Sequence, residues 1–135
     1  MSRQRGQPQR QLTLEQVECQ VKMARSLLLC SGFKPANDKI ASEFERLGLF
    51  LYDEQREALA SALCEITCDC YAGPYPPNHL SSEPKTAGTR MIGFVWNSPH
   101  FGGRRMYFKF CIQKFRGADT LFVFSLHESP RMEGD

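Results

Sequence analysis

Nowhere in the 135 residues does an apolar run approach the roughly 20 that would cross a bilayer. The opening stretch MSRQRGQPQRQ also lacks the apolar centre of an export signal. These two absences predict a cytoplasmic protein with no membrane partner. There is no internal repeat, and the six cysteines (Cys19, Cys30, Cys64, Cys68, Cys70 and Cys111) do not follow zinc-finger spacing. CEITCDC does set Cys64 and Cys68 one helical turn apart, with Cys70 near and His79 downstream. Such thiols at a helix end read more simply as small core residues. Without an export signal they are expected to be free, and neither metal nor cofactor is expected. A chain of this length buries enough apolar surface to fold without cross-links.

Strong charge of one sign is missing as well, the net value being +2, but the charges are unevenly spread. Residues 1–11 carry three arginines, residues 12–80 six basic and ten acidic side chains, and residues 81–127 seven basic and two acidic. The C-terminal half is therefore the basic half, which points to an anionic partner, nucleic acid being the commonest.

Residues 1–11 hold no hydrophobic side chain after Met1 and are expected to be a disordered basic tail. A single domain over 12–128 and a short tail over 129–135 follow. LTLEQVECQVKMARSLLLCSG reads as a helix, with Thr13 and Gln16 in a capping-box pattern and Gly32 as its stop. Its buried stripe is Leu14, Val17, Val21, Ala24, Leu28 and Leu29. NDKIASEFERLG is a second helix, capped by Asn37 or Asp38 and burying Ile40, Phe44 and Leu47. YDEQREALASALCEI is a third, capped by Asp53, with Ala58, Leu59, Ala62, Leu63 and Ile66 inward. Residues 71–90, with four prolines, are expected to be largely irregular, and loops that long usually serve a site.

Beyond that loop the hydrophobic period falls to two. RMIGFVWN, RRMYFKFCIQKF and DTLFVFSLHES read as strands, the last two joined by a hairpin at Arg116 and Gly117. The predicted fold is α+β, with N-terminal helices packed on one face of a small antiparallel sheet. Phe108 and Phe110 are expected to meet Phe122 and Phe124 beneath the helices. That leaves Tyr107, Lys109, Ser125 and His127 on the other face, with Tyr107 nearly across from His127. A slip by two would set Arg105 opposite His127 without changing the face. An imidazole that titrates near neutrality, a phenol, and cations able to stabilise phosphate charge are the parts of a metal-free ribonuclease. A wet sheet face carrying such residues without purpose is the plainer reading. Trp96 and His100 read as packing and loop residues, although an indole at a sheet edge can stack on a base.

DCYAGPYP, FVWN, GRRMYFKF and VFSLHES, in that order and spacing, resemble a divergent branch of the motility quorum-sensing regulator (MqsR) family of bacterial RNA interferase toxins. The resemblance spans about residues 47–128, LGLFLYDEQREAL matching the entry into that family's third helix. It implies a RelE-like fold, metal-independent cleavage of messenger RNA by attack of the 2′-hydroxyl, an antitoxin protein as partner, and possible assistance by the ribosome. Tyr107 and Lys109 match the family's Tyr-x-Lys strand, His127 ends its Ser-Phe-His motif, and Tyr71, Gly73 and Pro74 match its loop. The chain departs from the best-known members at Cys70, at Ala72, where they carry a lysine, and near Val95, where they carry a glutamine. Tyr107, Lys109, His127 and Arg105 are thus the candidate catalytic residues, and Arg104, Tyr71, Trp96 and Lys114 the candidate RNA contacts. The departures leave an alternative, a non-catalytic RNA- or protein-binding module on the same fold.

Overall fold

A computed structural model describes residues 12–74 and 91–129. The expected disordered tail, residues 75–90 of the Pro-rich segment with His79, and residues 130–135 lie outside the described residues. Helix α1 spans Leu14–Ser31. It begins as the capping box predicts: Thr13 Oγ1 accepts from Gln16 N at 3.1 Å, and Thr13 N donates to Gln16 Oε1 at 2.9 Å. Val17, Val21, Ala24 and Leu28 are buried, but Leu14 and Leu29 are exposed. Leu29 follows Leu28 by one residue, which turns it about 100° off the buried stripe. At the C-terminal end, Gly32 adopts φ +83, and a Cβ there would collide with the Tyr52 hydroxyl. That hydroxyl accepts from Phe33 N at 2.9 Å, so the close approach holds the end of α1 against the following helices.

Helix α2 covers Lys39–Arg46, and Asn37 rather than Asp38 supplies its cap, accepting from Ile40 N at 3.1 Å. Helix α3 covers Tyr52–Glu65. Asp53, the expected cap, lies inside its first turn; instead Glu54 reaches back to accept from the amides of Phe50 and Leu51, both at 3.0 Å. Arg25 and Arg56 tie the two longer helices together, donating to Leu63 O at 2.8 Å and Leu28 O at 3.0 Å.

The fold is α+β, three helices preceding nearly all of a five-stranded sheet. The strands are β1 (Lys34–Pro35), β2 (Tyr71–Pro74), β3 (Ile92–Ser98), β4 (Arg104–Phe115) and β5 (Ala118–Glu128), in the order β1-β5-β4-β3-β2. All pairs are antiparallel except β1 with β5, so the sheet is mixed rather than purely antiparallel. The start of the Pro-rich segment is also more regular than its composition predicts: Tyr71–Pro74 forms edge strand β2.

The helices cover one face, where Phe94, Met106, Phe108, Phe110, Leu121, Val123 and Leu126 join Val17, Leu28, Phe44, Leu59 and Leu63 in the main core. Phe122 and Phe124 are not part of it. They lie on the other face with Ala36, Met91 and Cys111 in a smaller apolar cluster, contrary to the expected packing under the helices. A β-bulge in β5 accounts for this, since Lys109 pairs with Ser125 and Phe110 with Val123, leaving Phe124 as the extra residue. Past the short β1, the edge of β5 is met by α2, where the buried Glu43 carboxylate accepts from Leu126 N at 2.8 Å.

Candidate functional site

The bulge also decides which residues share the outer face. The turn at Arg116 and Gly117 pairs Phe115 with Ala118, a register that holds as far as Phe110 and Val123. Continued without interruption, it would set Tyr107 against Leu126 and turn His127 into the core. The extra residue at Phe124 moves the ladder by one, so Tyr107 pairs with His127 and Leu126 is fully buried. Burying a leucine contributes roughly 1.5–3 kcal/mol, whereas an enclosed imidazole would need a partner, so the apolar pattern selects the bulged register.

Tyr107 and His127 are both half-buried, with ring centroids 5.3 Å apart and planes tilted by 44°. A hydrogen-free carbonyl can only accept, so the 2.9 Å contact between His127 Nδ1 and Glu128 O puts the proton on Nδ1. In the neutral ring Nε2 is then the basic nitrogen. Arg105 and Lys109 flank Tyr107 on the same side of β4, each about 7 Å along the strand. Lys109 Nζ lies 5.8 Å from the centre of the bulged Phe124 ring, which keeps the ammonium on the outer face. Across from Tyr107 on β3 stands Val95, and beside it Gly93, where a Cβ would come within 3.0 Å of the Tyr107 hydroxyl. The phenol therefore packs against the glycine. A glycine inside a strand pattern is the signal for such an approach, and sequence reading passed over it.

The four candidate catalytic residues thus share one face. The four candidate RNA contacts do not join them. Trp96 is buried in the helix-side core and donates its indole N–H to Glu65 Oε1 at 2.8 Å. Tyr71 packs against Phe94 on that same side, its hydroxyl accepting from Leu12 N at 3.4 Å. Lys114 is paired with Asp119 at 3.2 Å near the far end of the hairpin. Arg104 has the parity of Met106, donates to Phe101 O at 2.9 Å and sits 3.9 Å from Glu128. It meets the cluster only through a groove of about 370 Å³ lined by Glu43, Arg46, Leu47, Arg104, His127 and Glu128. Of these, Glu43 was legible as a position on the buried stripe of α2, three residues after Ile40. A smaller cavity of about 170 Å³ lies between α1 and residues 66–68, away from the cluster.

Two titratable groups are displaced. Partial burial pushes the Glu65 carboxyl up, but hydrogen bonds from Ser98, Trp96 and the His100 amide, with the His100 charge, outweigh it and leave the pKa below the usual value. Burial pushes the Cys111 thiol up to about 12, so it stays protonated and unreactive. Cys64 is exposed and Cys68 and Cys70 are only half-buried, so they are free thiols rather than the core residues expected, and among the described residues no group of three or more His, Cys, Asp or Glu side chains is arranged to hold a metal ion. Nor is any helix long and apolar enough to cross a membrane among them. Comparison with known protein families, curated proteins and solved structures returns no match.

Proposed function

We propose that the outer face of β4 and β5 is the reaction surface of a metal-independent endoribonuclease acting on messenger RNA in the cytoplasm, a toxin whose antitoxin protein would cover that face. The observation that carries this reading is the cross-strand pairing of Tyr107 with His127, flanked by Arg105 and Lys109. His127 Nε2 takes the proton of a ribose 2′-hydroxyl, and the 2′-oxygen forms a bond to the adjacent phosphorus. Lys109 and Arg105 stabilise the added charge on the phosphorane. The bond from phosphorus to the 5′-oxygen breaks, Tyr107, whose hydroxyl is buried against the sheet in the unbound fold, turns outward to give its phenolic proton to that oxygen, and the imidazolium returns a proton to Tyr107. The products are a 2′,3′-cyclic phosphate and a free 5′-hydroxyl.

The test is cleavage of a single-stranded RNA by purified protein in the presence of a chelator. The parent should release cyclic-phosphate ends, and His127→Ala and Tyr107→Phe should each be slower on the order of 10²- to 10³-fold with unchanged thermal unfolding. Variants as fast as the parent would defeat the assignment. One observation favours the second reading, a non-catalytic RNA- or protein-binding module: the side chain directly across from Tyr107 is the apolar Val95. RNA bound tightly by a parent that never cuts it would select that reading.

A further inference from the structure

The tip of the β4–β5 hairpin combines backbone strain with charge. The two-residue turn has φ +54 at Arg116 and +85 at Gly117, the type I′ geometry that asparagine followed by glycine adopts most readily. Arginine is poorly suited to the first of these positions, because its Cβ crowds the backbone in the left-handed region. Its guanidinium lies 5.2 Å from the centre of the Phe115 ring, and Lys34 Nζ, arriving from β1, lies 5.9 Å from the same ring. Both cations are exposed and at most about 11 Å apart, near one Debye length, so solvent screens most of their mutual repulsion and the tip presents two positive charges. Lys114 beside them is already neutralised by Asp119. Local strain, and two cations with no ion pair among the described residues, gathered at one half-buried aromatic, are features that stability alone would not favour.

We infer that Arg116 and Lys34 form a second phosphate-binding point for the RNA strand that the proposed function brings to the sheet, a reading on which this inference rests. Tyr107 and Phe115 are eight residues apart on β4, about 27 Å at strand rise. At ~3.4 Å per stacked residue that distance corresponds to on the order of eight nucleotides. A long substrate reaches both points, and a short one only the Tyr107–His127 cluster.

The experiment measures binding of uncleavable 2′-O-methyl RNA, as a 4-mer and a mixed-sequence 16-mer, to the parent and to Arg116→Asn over a range of salt. Arg116→Asn should bind the 16-mer about three- to tenfold more weakly, lower the slope of log affinity against log salt by about 1, and bind the 4-mer as the parent does. It should also melt higher by ~3 °C, since asparagine suits the turn. Lys34→Ala should repeat the loss of affinity, and Arg116→Lys should keep the parent's slope. An unchanged 16-mer affinity in Arg116→Asn, or an equal loss for both lengths, overturns the inference while leaving the cleavage assay to judge the cluster. A parent that binds neither RNA removes the nuclease reading along with the tip.

Discussion

Met106, Phe108 and Phe110 on β4 are enclosed beneath the helices, while Arg105, Tyr107 and Lys109, which alternate with them, stay half-buried on the other side. The outer face is itself divided. Toward the turn it carries the apolar cluster of Cys111, Phe122 and Phe124, and past the bulge it becomes the Tyr107–His127 cluster. One strand therefore serves as core, second core and candidate site, and the change from second core to site falls at the one extra residue of β5. Rigid support for a reactive group comes from such an arrangement, since each polar side chain sits between two side chains locked in the interior.

If the two faces divide stability from chemistry in this way, substitutions at neighbouring positions of β4 should separate. Phe108→Ala removes a fully buried ring and should cost about 3–5 kcal/mol, read as a lower midpoint in denaturant. Lys109→Ala, one residue away, should cost under about 1 kcal/mol and yet slow RNA cleavage on the order of 10²-fold. Similar stability losses for both would show that the outer face is structural after all.

The sequence pattern made some of this division legible. Period-two alternation put Tyr107, Lys109 and His127 on one side, and capping chemistry located the start of α1. It could not show the bulge, because an extra residue changes neither composition nor the local turn signal; its effect is non-local, and it moved Phe122 and Phe124 away from the helices. Two-residue β1 is likewise too short to carry a period, and Pro35 within it argues against a strand until β5 lies alongside. Trp96 and Tyr71 were placed by residue type rather than parity, which is why both turned up on the helix side of the sheet.

A smaller contrast concerns Glu65, which pins the end of α3 to the end of β3 and the turn after it through Trp96, Ser98 and the His100 amide at 2.8, 2.6 and 3.2 Å. Its pKa is depressed in the folded chain, so the folded state gains from its ionisation above the unfolded value near pH 4.3 and loses that gain as pH falls through the lower folded value. Thermal stability should therefore drop on acidification below about pH 4.3, and Glu65→Gln should flatten part of that drop. A variant whose profile overlays the parent's would mean that other carboxylates govern acid unfolding. Cleavage near neutral pH should change little, as Glu65 serves the helix-side core.

Gly93→Ala should have the smallest effect on stability and the most specific one on the site. The backbone at Gly93 is not in the left-handed region, so alanine is accommodated there, but its Cβ would lie 3.0 Å from the Tyr107 hydroxyl and 3.1 Å from the ring. The contact falls on the far end of a side chain on the outer face, which can tilt away, so the cost should stay below about 1 kcal/mol. Tilting moves the phenol relative to His127 and should lower the cleavage rate about tenfold or more with little change in RNA affinity. Comparing Gly93→Ala with Gly93→Ala/Tyr107→Phe checks the route of the effect. If the glycine acts by positioning the phenol, the double variant is no slower than Tyr107→Phe alone; additive losses would mean that Gly93 serves the site by some path other than the ring above it.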